Sequence, residues 1–136
     1  MANVLWPKGR EGFLTGLIDW DTDDVRFVLI RSSYTYNAAH QFMSSITAGN
    51  ENGRSPALGS KTGTDGTADA GDITTGLTAT AAAATNAGGA FKHTGVDATA
   101  NLICYIDTAT GLPFTPAAGG PVNVTWDNGA NRIFTL

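Results

Sequence analysis

The apolar side chains of this chain follow strand periodicity in four segments, at residues 25–31, 101–107, 122–126 and 132–136. Residues 25–31 carry apolar side chains on both faces, which predicts a central strand covered on both sides. Residues 101–107 are almost wholly apolar and predict a second buried strand. In residues 122–126 every second side chain is apolar, as in a half-buried strand. The Asp-Asn-Gly at 127–129 then predicts a hairpin turn into the last strand.

Helical spacing of apolar residues is confined to the first third of the chain. Residues 8–19 predict a short helix whose buried face combines Phe13, Leu14, Leu17 and Ile18. Residues 37–46 predict a second short helix, capped by Asn37 and burying Phe42, Met43 and Ile46. Both helices need tertiary packing for their stability, because isolated helices of this length are marginal in water.

The middle of the chain, residues 59–95, is poor in large apolar side chains, with Ile73, Leu77 and Phe91 as the exceptions. This composition predicts short strands separated by glycine turns. Residues 79–89, rich in alanine, threonine and glycine, predict a mobile loop or a thin strand connection.

Taken together, these segments predict a mainly β fold, a single-domain β-sandwich or barrel-like structure with one or two short helices in the N-terminal third. The 136 residues fit one domain, residues 1–136, in which residues 1–9 form an N-terminal arm and residues 10–136 a β-rich body.

Charge and composition exclude several partners. The net charge is −4 and the eight basic residues are scattered, so we expect no nucleic-acid partner. No apolar run approaches the roughly 18 residues of a membrane span, so we expect no membrane partner. Cys104 is the single cysteine, which excludes an intrachain disulfide, and the N-terminus lacks an apolar signal core. We therefore expect synthesis and folding in the cytoplasm.

No catalytic, metal-binding or cofactor-binding pattern emerges from the polar residues. The aspartates at 19–24 resemble the start of a calcium loop, but Asp24 and Ile30 stand where that loop needs glycine and glutamate. His40, His93 and Cys104 lack the paired spacing of a zinc site. We expect a chain without catalytic residues, metal or cofactor.

Two surfaces are candidates for contact with partners. Val4, Leu5 and Trp6 form an apolar cluster near the N-terminus. This cluster either docks on a neighbouring subunit or folds back onto its own core. The final strand, with Arg132 and Phe134, either adds to the sheet of a neighbour or is protected within its own domain.

Several stretches are similar to small virion proteins of tailed bacteriophages. They are Gly16-Leu17-Ile18-Asp19-Trp20, His40-Gln41-Phe42, residues 105–113, and residues 124–131 with Ile133 and Phe134. In these stretches the chain resembles head decoration (cement) proteins. The likeness covers both ends of the chain well and residues 48–95 poorly.

The resemblance implies a non-enzymatic β protein of the virion, bound to the outer capsid surface and commonly a homotrimer. Its partners would be the major capsid protein and other copies of itself. One alternative is a tail, collar or fibre component that contacts the host surface through the loops of the middle segment. Another is an enzyme acting on cell-wall sugar, which would require a pocket joining His40 or His93 to a carboxylate.

Overall fold

The computed structural model describes residues 3–130 and 132–136. Within them the secondary-structure elements are β1 (Val4–Leu5), α1 (Pro7–Leu14), β2 (Val25–Arg31), β3 (Glu51–Arg54), β4 (Thr62–Thr64), β5 (Thr67–Asp69), β6 (Thr85–Lys92), β7 (Leu102–Ile106) and β8 (Phe134–Thr135). Two short 3-10 turns at Met43–Ser45 and Ala48–Asn50 lie between β2 and β3.

The strands form two antiparallel sheets. The larger sheet has the order β1-β7-β6-β2-β3 and the smaller one the order β4-β5-β8. This mainly β arrangement with a short helix near the N-terminus confirms the predicted fold class, a small β-sandwich-like single domain.

The strand predicted at residues 25–31 is β2, and it is covered on both faces as expected. Phe27 and Leu29 belong to a core cluster that also contains Ile73 and Leu77 of the middle segment and Trp126 near the C-terminus. Val28 and Ile30 belong to a second cluster on the opposite face, with Met43. The larger sheet therefore has a hydrophobic core on each side.

The strand β6, beside β2, was not predicted as a central strand. Its residues 85–89 fall in the predicted mobile loop or thin connection, and that prediction is wrong for them. A Cβ on Gly88 would lie 2.2 Å from the ring of Phe27, and one on Gly89 would lie 2.4 Å from the carbonyl oxygen of Cys104. Small residues are thus required here because neighbouring rings and backbone occupy the space that side chains would fill.

The helix α1 starts earlier and buries a different face than predicted. Pro7 occupies the first turn, where its fixed φ and missing N–H suit a helix start. The buried residues are Gly9 and Gly12, whereas Leu14 is exposed. A Cβ on Gly9 would lie 2.6 Å from the carbonyl oxygen of Leu102, so the helix lies directly on β7. The predicted buried face of residues 8–19 is therefore wrong for Leu14 and Leu17, whereas Ile18 is buried and Phe13 is partly buried against the core.

The second predicted helix, at residues 37–46, is wrong as well. The segment contains a turn at residues 38 and 39 and then an isolated bridge between Phe42 and Asn101, followed by the 3-10 turn. The side chain of Asn37 accepts a hydrogen bond from the N–H of Ala39, which makes a turn instead of a helix cap. Met43 and Ile46 are nevertheless buried as predicted.

For the C-terminal residues, the predicted burial of Trp126 is correct, but the predicted hairpin between residues 122–126 and the last strand is wrong. Trp126 is buried, but residues 122–126 make only isolated bridges, such as Val124 with Ile73. The carboxylate of Asp127 accepts the N–H of Gly129, and the chain does not fold back as a hairpin. Instead β8 pairs with β5.

Candidate binding surface

The N-terminal cluster that was predicted to contact a partner lies within the fold. Val4 pairs with Tyr105, and Leu5 pairs with Cys104 across β1 and β7. Trp6 is 0% exposed, and its indole N–H donates to the carbonyl oxygen of Asn37 at 3.1 Å. The structure matches the alternative in which Trp6 folds back onto its own core. Residues 3–9 are therefore part of the body and not a separate arm.

The two candidate residues of the final strand also have partners in their own chain. The Phe134 ring packs edge-on against Trp20, with ring centroids 5.2 Å apart. The Arg132 guanidinium lies 2.6 Å from a carboxylate oxygen of Asp69. β8 is at the edge of the smaller sheet, so its outer side has no strand partner among the described residues. The outer backbone edge of β8 is therefore open to contact by a neighbour, whereas the side chain of Phe134 is buried.

His40 is held by an aromatic cluster. The Tyr34 hydroxyl lies 2.7 Å from Nδ1 of His40, and the rings of Tyr36 and Trp6 pack against Tyr105. Burial raises the pKa of Tyr34 to about 12, so its hydroxyl stays protonated at neutral pH. The arrangement anchors the 34–40 segment on the sheet.

His93 lies beside a network of ion pairs on the same face. The Arg54 guanidinium contacts Glu51 at 2.8 Å and Asp97 at 2.9 Å, and it lies 5.3 Å from the ring centroid of Phe91. Hydrogen bonds from Arg54 hold the pKa of Asp97 below its usual value. The pairing joins β3 to the loop after β6, which is a structural role.

Cys104 is buried in β7, as the sequence predicts. Burial raises the pKa of its thiol to about 12. A thiol in this state is a poor nucleophile and metal ligand, because both roles need the thiolate. The side chain serves as a small apolar core residue.

The aspartate-rich turn at residues 19–24 uses its carboxylates internally. Asp19 accepts the backbone N–H groups of Asp21 and Thr22, and Asp23 lies 3.0 Å from the ammonium of Lys92. In residues 3–130 and 132–136, no group of three histidine, cysteine or acidic side chains is placed to hold a metal ion.

A groove of about 1070 Å³ is lined by the larger sheet, by residues between 108 and 127, and by Arg132 and Ile133. Its walls are mainly apolar, with Phe27, Ile106, Phe114, Val122 and Trp126 among them. The lining includes neither histidine, so it does not join a histidine to a carboxylate. The groove offers apolar contact and no cluster of reactive groups.

The exposed large apolar residues reveal a surface that the sequence analysis missed. Within the described residues they are Leu14 (85% exposed), Leu17 (57%), Val96 (57%) and Leu136 (57%). Leu14, the last residue of α1, and Leu17, three residues beyond it, are here named the leucine pair. Gly16 separates them with a positive φ of 78°, a conformation typical of helix ends. That glycine, with Gly9 and Gly12 on the buried face, is the sequence signal that predicts leucines pointing outward.

No protein-family model, curated protein or solved structure matches this chain. No helix in the described part of the chain has the length and apolarity needed to cross a bilayer.

Proposed function

We propose that the chain is a non-enzymatic structural protein of a phage virion, which binds the outer capsid surface and stabilises the shell by bridging capsid subunits. The resemblance to decoration proteins supports this proposal. Many residues that carry the resemblance are core residues here, including Trp20, Tyr105, Trp126 and Phe134. The resemblance therefore lies largely in residues of the hydrophobic core.

The observation that carries the proposal is a contrast between reactive and apolar side chains. Cys104 is buried, His40 is bonded to Tyr34, and Arg54 is bonded to two carboxylates. The leucine pair, by comparison, extends into solvent. Exposed apolar side chains on a well-packed body suit a protein that binds other proteins.

A protein that bridges capsid subunits acts in many copies, so each single contact can be weak. The proposed partners are the major capsid protein and other copies of the chain, arranged as a homo-oligomer such as a trimer. When several copies hold one another, each further contact is intramolecular and overall avidity increases without new contact area. The free outer edge of β8 is suited to contact between copies. In this proposal the chain is made in the host cytoplasm and joins the shell there.

The tail, collar or fibre alternative receives less support. It requires an exposed aromatic surface in the middle segment, where Phe91 is the sole aromatic residue. Phe91 is 0% exposed in the core between the larger sheet and the 34–46 segment. The middle segment therefore has no aromatic side chain available for a host ligand.

Co-sedimentation tests the proposal. Purified chain is mixed with DNA-filled heads lacking it, and separately with purified tails, and the pelleted protein is quantified. We expect saturable binding to heads, at a copy number that follows the number of capsid subunits. Saturable binding to tails with none to heads would refute the capsid function.

A further inference from the structure

We propose that the chain recognises a second copy of itself through β4, which pairs antiparallel with β4 of that copy so that Lys61 of each copy faces Asp65 of the other. This inference deepens the proposed function, on which it rests for its role in the shell, by naming a contact between copies. The surface is the segment Lys61-Thr62-Gly63-Thr64-Asp65, here named the β4 edge.

The backbone of Gly63 points away from its own sheet. β4 is the last strand on one side of the smaller sheet, and Gly63 lies opposite Ala68 of β5. The carbonyl oxygen of Ala68 accepts the N–H of Ile133 at 3.0 Å, so Ala68 bonds towards β8 and not towards β4. Because bonding directions alternate along an antiparallel strand, the N–H and carbonyl of Gly63 point outward from the sheet.

The space at the β4 edge is open. Residues 62–64 are exposed, and a Cβ on Gly63 would meet no described atom within 4 Å. An exposed strand edge of this kind is a template on which another strand can pair.

The charges of the β4 edge favour a second copy as the partner. In antiparallel self-pairing about Gly63, Lys61 of each copy lies opposite Asp65 of the other, and two-fold symmetry makes this pair twice. On the other face Thr62 lies opposite Thr64 of the second copy. Moving the two-fold axis by one residue would place Lys61 or Asp65 opposite Gly63 and lose both ion pairs. The charges therefore select one partner and one register.

Both charged side chains are available for this contact. In the part of the chain that the structure describes, the ion pairs include neither Lys61 nor Asp65. The Lys61 ammonium donates to the carbonyl oxygen of Asp23 at 2.6 Å, which fixes its position. An ammonium has three N–H donors, so others remain for a carboxylate of a second copy.

The proposed contact is two-fold and small. It joins two copies, so a trimer would need a further contact, such as the outer edge of β8. Two short strands bury little area, so the dimer of the free chain is weak. Copies held side by side on a shell would pair more completely, because the contact is then intramolecular.

Disulfide trapping of Gly63→Cys tests the contact on the isolated chain. The two Cα atoms at the centre of the pairing would be about 5.5 Å apart, within the range of a disulfide. The native Cys104 does not compete, because it is buried. Gly59→Cys is the matched control, since Gly59 is also exposed, has no positive φ and would place its Cβ in open space. Self-pairing about Gly63 would keep the two residues 59 about 26 Å apart.

In a glutathione redox buffer we expect Gly63→Cys to form a covalent dimer about tenfold or more faster than Gly59→Cys. Adding Asp65→Asn should slow this reaction about threefold to tenfold at low salt, and the difference should vanish at high salt. Asn suits the positive φ of 53° at this position. Glu11→Gln, which removes the same charge from α1, should leave the rate unchanged.

Amide exchange of the wild-type chain gives a measurement that needs no variant. Protection of the Gly63 N–H should increase with protein concentration, because pairing gives this outward N–H an acceptor. Protection independent of concentration would contradict self-pairing. Thermal unfolding of each variant checks that its fold is intact.

The outcomes separate this inference from the proposed function. If Gly63→Cys and Gly59→Cys react at the same rate, the β4 edge does not self-pair, and head binding by the wild type still supports the capsid function. If the dimer forms but the wild type does not bind heads, the capsid function fails and the contact stands.

Two other occupants of the β4 edge would overturn the inference. Faster cross-linking of Gly63→Cys to a Thr135→Cys chain than to itself would show head-to-tail pairing of β4 with β8. Protection of the Gly63→Cys thiol from a maleimide on heads, without covalent dimers, would show that the capsid protein covers the edge.

Discussion

Replacing Trp6 by alanine tests whether the N-terminal residues are core or arm. Trp6 is 0% exposed, packs against Tyr36 and Tyr105 at centroid distances of 5.5 and 5.6 Å, and bonds to Asn37. Truncation of a buried tryptophan to alanine costs about 3–5 kcal/mol, from lost apolar burial and the cavity left behind. The total stability of a domain this size is only about 5–15 kcal/mol.

The expected result of Trp6→Ala is a decrease of about 3–5 kcal/mol in the free energy of unfolding and of roughly 10–20 °C in Tm. Urea unfolding measured by tryptophan fluorescence suits the variant, because Trp20 and Trp126 remain as buried reporters. Leu14→Ala is the control, with an expected change within about 0.5 kcal/mol at a position 85% exposed. A Trp6→Ala protein within about 1 kcal/mol of wild type would show that Trp6 is not a core residue.

Three further predictions concern the sheet, the thiol and the ion pairs. Gly88→Val should destabilise the chain by about 3 kcal/mol or more, because its Cβ would lie 2.2 Å from the Phe27 ring; an unchanged urea midpoint would contradict this packing. Cys104, whose pKa burial raises to about 12, should react with a thiol reagent only in urea; rapid reaction of the native chain would contradict its burial. Arg54 lowers the folded-state pKa of Asp97, so this pair should stabilise the fold above pH about 4 and lose its effect as pH falls below that. The Asp97→Asn variant should therefore lose less stability than wild type between pH 7 and pH 3 in urea titrations, and an equal loss would contradict the pairing.

The parts of the fold predicted from sequence are those with many large apolar side chains. Residues 25–31 and 101–107 carry enough branched and aromatic residues to identify β2 and β7, and the burial of Cys104 follows from its place in the second of these. The fold class follows from the spacing of such segments. In these segments local preference and tertiary environment agree.

β6 shows why the rest could not be predicted. Gly88 and Gly89 have low strand propensity, and the reason for them lies in distant residues, the ring of Phe27 and the backbone of Cys104. A single sequence gives no information on such close approach. The same limit applies to β8, because its pairing with β5 joins residues 68 and 134, far apart in the chain.

The candidate surface was missed because helical periodicity alone does not say which face is buried. The helical spacing shared by Phe13, Leu14, Leu17 and Ile18 predicts that all four side chains are buried. The helix ends at Leu14, so Gly16 and Leu17 lie beyond it, and its buried side is formed by Gly9 and Gly12 together with the partly buried Phe13. Apolar residues that a fold leaves exposed are the positions where a binding role is expected.

Cryo-electron microscopy of DNA-filled heads mixed with the purified chain tests the central claim most directly. We predict density for the chain at repeating positions over the outer capsid lattice, with the β4 edges of neighbouring copies paired about two-fold axes. Bare heads, with density confined to the tail or collar, would contradict the capsid function. Decorated heads without paired β4 edges would keep that function and contradict the proposed contact between copies.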